Sequence, residues 1–294
     1  MAGWPNLSDL IVGVESKARV GLVGAPLAAG SVTAGQCDLA PALLRQTLRR
    51  IGRYDVETQQ ELDSRIADRG DVEIAGLSIE EATPLIAKDV RYSVSLHELT
   101  LLIGGNNAVT RPGVHGLGLP LDKVGLITLD AHFDMRETRE GLSNGNPVRA
   151  LIEDGLPGRN IAQIGLASFA NSRKMHEDAL AAGNLVVTME EVRRHAIRPV
   201  IERALKHVAH CEALLIDCDI DVIDRSQLPA APGARPGGMA VHDFFAAVRR
   251  LAADPRVRVI DLTEWDPPLD ATDLSALTAA RWVAECLAGL EQRP

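Results

Sequence analysis

The sequence predicts an α/β domain in which a parallel sheet is covered by helices, and three observations carry that prediction. Short, β-branched, nearly all-apolar runs recur along the 294 residues, as strands buried on both faces require. Amphipathic stretches of helical period alternate with them, the arrangement of crossover connections. No repeat, low-complexity tract or Pro/Ser-rich linker divides the chain, which reads as one domain over 1–294. The pattern leaves a closed eight-stranded barrel open beside an open sheet. Either one places a site where strands end and loops begin.

Taken in chain order, the first strand is expected over 19–24, followed by a helix over 41–50 and another over 79–94. Strands at 100–103 and 124–129 come next, then a helix at 147–154 that opens on Pro147. A strand at 161–165, a helix at 173–182 and a strand at 185–188 lead into a long helix over 190–208. The chain closes with strands at 213–216 and 258–262 and helices at 242–253 and 275–290. In the last helix Leu277, Ala280, Trp282, Val283 and Leu287 fall at helical spacing and read as core.

With 31 Lys and Arg against 40 Asp and Glu, the formal charge is −9, and no basic run interrupts it. Nucleic-acid and anionic-membrane binding need concentrated positive charge, so neither partner is expected. The hydrophobic content of 46% includes only 3% aromatic residues, so Ala, Leu, Val and Ile supply the packing. Without a signal-peptide layout or a spanning segment, the chain reads as cytoplasmic. Cys37, Cys211, Cys218 and Cys286 lack C-x-x-C spacing and read as buried thiols. Cys218, between two acids in a strand, should point away from whatever those acids face.

Two strands end in chemistry. The 124–129 strand runs into Asp130-Ala-His132-Phe-Asp134, whose i, i+2, i+4 spacing turns three ligand-type side chains to one face in extended chain. The 213–216 strand runs into Asp217-Cys-Asp219-Ile-Asp221, with Asp224 just beyond, in the same alternation. Clustered carboxylates repel, and burying them unpaired costs several kcal/mol per ion, so cations are the economical neutraliser. Carboxylates mixed with one imidazole suit Mn²⁺ better than a thiolate-type zinc or copper site. Asp is also common at N-caps and turns, but two such clusters in one pattern favour metal.

These motifs resemble the ureohydrolases, the family of arginases, agmatinases and formimidoylglutamases. Asp130-Ala-His-Phe-Asp134 is similar to the family's D-A-H-x-D. The segment from Asp217 to Asp224 resembles its S-x-D-x-D-x-x-D, with Asp217 in place of the serine. Ala231-Pro-Gly233, followed by a shortened Pro/Gly-rich loop to Gly238, resembles the A-P-G landmark, and Glu264-Trp-Asp-Pro267 resembles the terminal E-x-N-P. Val23-Gly-Ala-Pro26 and Asp68-Arg-Gly-Asp71 look like the earlier landmarks. Within the family, Asp130 to Arg136 and Asn144-Gly-Asn-Pro-Val-Arg149 are most similar to the formimidoylglutamase patterns. Arginases and agmatinases carry a histidine where this chain has Asn144.

The resemblance implies a three-layer αβα arginase-like fold with a mainly parallel sheet of about eight strands. It implies a binuclear Mn²⁺ site in which Asp130 and Asp219 bridge, His132 and Asp221 complete one ion's shell, and Asp134 binds the other. The second ion's usual histidine is replaced by Asn107, a weaker donor, so one ion or two remains open; His115 is a candidate substitute. The implied reaction is hydrolysis of a linear amidine C–N bond, N-formimidoyl-L-glutamate giving L-glutamate and formamide, by attack of metal-bound hydroxide. Asp134 would orient the hydroxide and shuttle its proton, and Glu264 would pair with the amidine nitrogen. Arg136, Asn144 and Arg149 are the remaining substrate-binding candidates, the arginines for the carboxylates. The rivals are a guanidino-compound hydrolase and a metal-depleted, non-catalytic homologue. The resemblance also implies a homo-oligomer, a trimer or hexamer.

Overall fold

The computed structural model describes residues 4–294. Its nine-stranded sheet contains β1 (Ile11–Val12), β2 (Val20–Ala25), β3 (Ile66–Asp71), β4 (Leu99–Gly104) and β5 (Val124–Leu129). It continues with β6 (Ile161–Leu166), β7 (Leu185–Thr188), β8 (Ala213–Asp219) and β9 (Val257–Thr263). The order is β1-β3-β2-β4-β9-β8-β5-β6-β7, and every neighbouring pair is parallel. Because β1 and β7 are edges, the sheet is open and the barrel alternative falls.

Among the described residues nine α-helices accompany the strands: α1 (Ala40–Thr47), α2 (Ile79–Leu96), α3 (Thr110–Gly116), α4 (Pro147–Asp154), α5 (Arg173–Ala182), α6 (Met189–His195), α7 (Ile197–His207), α8 (Val241–Ala252) and α9 (Leu274–Leu290). Residues of α2 to α5 pack into one apolar cluster and those of α1 and α6 to α9 into the other, so the sheet lies between two helical layers. Alternation along each central strand divides its side chains between them. In β8, Leu214, Ile216 and Cys218 join the α8/α9 side while Ala213 and Leu215 join the α2/α3 side. Cys218 thus turns away from Asp217 and Asp219, as its position between them requires. All four cysteines are buried and free.

The structure differs from the sequence reading in three respects. The expected helix over 190–208 breaks at Ala196, whose φ of +61° ends α6 and starts α7. Strands β1 and β3 and helix α3 were not expected. In α9, Ala280, Trp282, Val283 and Leu287 are buried as read, whereas Leu277 is half-buried. No helix among the described residues is long and apolar enough to cross a membrane.

Candidate active site

The carboxyl ends of four adjacent strands, β4, β9, β8 and β5, converge on one place, as expected for an open parallel sheet. From β5 come Asp130, His132 and Asp134; from β8 come Asp219 and, one step beyond, Asp221; from β9 comes Glu264; from the loop after β4 comes Asn107. All except His132 are buried. Asp134 and Glu264 both have positive φ, +51° and +61°, in a region that non-glycine residues rarely occupy. Such backbone persists only when surroundings fix it: the Arg149 N–H donates to the Asp134 carbonyl (3.1 Å) and the Glu264 N–H to the Gly105 carbonyl (3.0 Å).

Ligand-type atoms fall into two groups, Asp130 with His132 and Asp221, and Asp130 with Asp134 and Asp219; within each, all lie within 4.8 Å of one another. Asp130 belongs to both, the place of a bridging carboxylate. Its Oδ1 accepts from the His132 N–H (2.7 Å), but its buried Oδ2 has no protein donor. His132 Nδ1 lies 3.0 Å from Asp221 Oδ2. An orphaned carboxylate oxygen within an all-oxygen-and-imidazole set fits divalent Mn²⁺, so the residues present suit the implied metal.

The electrostatics agree. Burial, and then the Asp221 and Asp130 charges, push Asp219 well above the carboxylate range; burial and then Asp130 do the same to Asp134. Burial raises Asp130 to about 6, although His132 opposes it. Burial also works against a charged His132, but Asp221 and Asp130 outweigh it and hold the imidazole up at about 12. Glu264 is raised to about 7 by burial, with hydrogen bonds from Asn144 and Asn107 opposing. Ionising these carboxyls together is therefore unfavourable without an added cation.

Asn107 is held on three sides. Its Nδ2 donates to Asp134 Oδ2 (2.5 Å), its backbone N–H to Glu264 Oε1 (2.7 Å), and its Oδ1 accepts from the Thr110 and Thr263 hydroxyls (both 2.9 Å). In this arrangement the amide nitrogen, not the oxygen, faces the acidic cluster. Asn144 Nδ2 donates to the same Glu264 Oε1 (2.9 Å), while its Oδ1 accepts from the Val32 N–H (2.8 Å). Beneath the cluster Asp217 is in register with Asp261, and both are fully buried. Burial and then Asp261 push Asp217 well above the carboxylate range, and neither Asp217 oxygen has a hydrogen-bond partner, whereas Asp261 accepts from the Thr110 hydroxyl (3.1 Å) and the Cys218 N–H (3.1 Å).

A cavity of about 170 Å³ opens over the cluster, lined by His132, Asp134, Asp219, Asp221, Asn144, Glu264 and Arg136 among others. Two candidates lie elsewhere. The Arg149 guanidinium pairs with Asp178 of α5 and does not line the cavity, which corrects its reading as a substrate contact. The His115 Nε2 lies 2.8 Å from Asp154 on the α3/α4 side, away from the cluster, so it does not stand in for the missing histidine. Sequence reasoning missed Arg235, which lines the cavity from the shortened loop. It also missed Asn171, whose Oδ1 accepts from the Phe133 N–H (2.9 Å) and whose Nδ2 donates to the Ala131 carbonyl (2.9 Å), bracing the Asp130–Asp134 segment. The signal for Arg235 was a cation in the loop following a ligand-bearing strand; Asn171 gave none.

An open parallel sheet with paired carboxylate groups at adjacent strand ends defines a metal-dependent hydrolase site of the α/β class. The chain belongs to the arginase family, whose model matches residues 18–289. It is 29% identical to the formimidoylglutamase of Bacillus subtilis strain 168 over 297 residues, covering 98% of this chain and 93% of that protein. It is 27% identical to the formimidoylglutamase of Halalkalibacterium halodurans, covering 92% and 86%. The crystal structure of the B. subtilis enzyme superposes with a TM-score of 0.94 at 27% identity, covering 100% of this chain and 94% of that one. Trypanosoma cruzi formiminoglutamase, solved with Mn²⁺, shares the fold at a TM-score of 0.91 and 22% identity, covering 99% of each chain.

Proposed function

We propose that the protein hydrolyses N-formimidoyl-L-glutamate to L-glutamate and formamide with Mn²⁺ as cofactor. The observation that carries this reading is the polarity of the cavity. Its floor is acidic, with Asp134 and Glu264, and suits a cationic amidine, while Arg136 lines the same space with no acidic partner among the described residues. Agmatine and guanidine carry no carboxylate to meet that arginine. The full-length similarity to two formimidoylglutamases supports the same substrate.

Asp130, His132, Asp134, Asp219 and Asp221 would hold the metal. When bound, the ions supply a water of lowered pKa and neutralise the carboxylates around it. Asp134, with Oδ2 already bonded to Asn107, is placed to accept the proton of the attacking water and return it to the leaving nitrogen. Glu264 accepts from Asn144 and Asn107 through Oε1, which leaves Oε2 for a charge-assisted bond to the amidine. Asn144 thereby orients Glu264. Arg136 binds a carboxylate.

A panel of formimidoylglutamate, arginine, agmatine and guanidine with the Mn²⁺-loaded protein tests this reading. Formamide release from formimidoylglutamate should be fastest; faster urea release from arginine or agmatine would replace the substrate with a guanidino compound. Metal analysis should give one or two ions per chain, and fewer than one would favour the non-catalytic homologue. The family resemblance suggests a trimer or hexamer, for which exposed Trp4, Tyr54 and Val56 offer apolar contact surface, and the reaction fits a cytoplasmic enzyme.

A further inference from the structure

We infer that Arg235 and Arg136 form a two-cation rim over the cavity that selects an amidine bearing two carboxylates, one held by each arginine. This deepens the proposed function and rests on it for the reacting end of the substrate.

Both arginines line the cavity, and neither is paired with an acid among the described residues. Arg235 is held in place from one side only. Its Nη1 donates to the carbonyls of Pro232 (3.1 Å), Gly233 (2.9 Å) and Ala234 (3.1 Å), leaving Nε and Nη2 without protein acceptors. A guanidinium fixed by one nitrogen presents the rest of its fork pre-organised for a carboxylate. The loop beneath it is fixed as well. Arg225 Nη1 donates to the Ala231 carbonyl (2.9 Å), and the Arg225 N–H donates to the Arg235 carbonyl (3.2 Å). Gly233 packs directly on Asp221, so Arg235 stands two residues from the metal cluster along a pinned backbone.

Arg136 is placed by a different close approach. A Cβ on residue 145 would lie 2.7 Å from Arg136 Cδ and 2.8 Å from Nε, so the arginine stem lies directly across Gly145, and a larger residue there would push it aside. The cavity is well below the roughly 300 Å³ typical of drug-sized pockets, so a short substrate that reaches the acidic floor also reaches the rim. One carboxylate would leave one arginine of the rim unmet. Two satisfy both, and Arg235 takes the role that the sequence reading gave to Arg149.

The test measures calorimetric binding of glutarate, L-glutamate and butyrate to the Mn²⁺-loaded full chain, alongside hydrolysis of formimidoylglutamate. Glutarate should bind the wild type more tightly than butyrate, and R235Q or R136Q should remove most of that difference. Each should raise KM for formimidoylglutamate by about ten- to a hundredfold, with kcat changed far less. R235K should recover part of the loss by restoring charge without the fork. Unaltered glutarate binding in R235Q, or glutarate binding no tighter than butyrate in the wild type, would overturn the rim. If formimidoylglutamate is not hydrolysed but glutarate binding still depends on Arg235, the rim stands and the proposed reaction fails.

Discussion

Gly233 packs directly against the acidic cluster. A Cβ at this position would lie 1.8 Å from Asp221 Oδ2 and 3.0 Å from the His132 ring, a separation that cannot exist without displacing one of them. Both neighbours are candidate ligands, so Gly233→Ala should shift ligand geometry rather than merely crowd a surface loop. The expected outcome is a drop of about 10- to 100-fold in Mn²⁺ affinity or kcat/KM, the range for losing support around a metal site. Metal titration and steady-state kinetics would measure it, and wild-type values for both would sink the account. Which residues meet here was partly readable beforehand. Alternation along β5 and β8 placed Asp130, His132, Asp134, Asp219 and Asp221 together, because period two is a property of the strand itself. The arginines obeyed no such period. Arg149 sits at the third position of α4, and its backbone serves Asp134 while its side chain leaves for Asp178. Arg235 reaches the cavity through a loop path that only the folded chain defines.

At the scale of elements, Asp270 joins the turn before α9 to the helix itself. Its Oδ1 accepts from the Thr272 N–H (2.8 Å) and hydroxyl (2.5 Å), and its Oδ2 accepts from the Ser275 N–H (2.8 Å), an otherwise free donor in the first turn. Burial opposes the charged form, but these donors prevail and hold Asp270 at about 2, below its ordinary 3.8. A carboxylate with a depressed native pKa stabilises the fold fully above the unfolded value and loses that contribution as pH falls through the native one. Asp270→Asn should therefore lower stability at pH 7 and narrow its gap to wild type between about pH 4 and pH 2. Urea midpoints across that range measure the gap, and a constant difference would contradict the assignment. The elements absent from the sequence reading share a cause. Strand β3 reads Ile-Ala-Asp-Arg-Gly-Asp because only the two-residue β1 covers its outer side, and Arg45 neutralises Asp68 and Asp71 (2.8 and 2.6 Å). Helix α3 contains Pro112, Gly113 and Gly116, which argue against a helix by propensity, yet its burial against β8, β9 and α2 overrides them. The long apolar strands needed no such help, and each was legible.

Across the whole molecule, the two helical layers bury a sheet whose centre carries acids at its carboxyl end, so the most costly charges lie in the buried interior. Asp130, Asp217 and Asp261 have no exposure, and Asp219 and Asp221 have 3% each. Such a fold is stabilised by whatever cation binds the native cluster and not the unfolded chain, by an amount that grows as RT ln(1 + [L]/Kd). At a free Mn²⁺ concentration a hundredfold above Kd this is about 2.7 kcal/mol, enough for a melting shift of several degrees in a chain of this size. Ligand carboxylates must be deprotonated to bind, so protons compete with the metal and the shift should shrink as pH falls. Melting curves with chelator and with Mn²⁺, at pH 8 and pH 5.5, separate this from general salt effects when Mg²⁺ at equal ionic strength serves as the reference. The Mn²⁺-specific shift should be largest at pH 8. Identical melting with chelator and with Mn²⁺ at that pH would mean that the buried acids hold protons instead of metal, and the hydrolase reading would lose its cofactor.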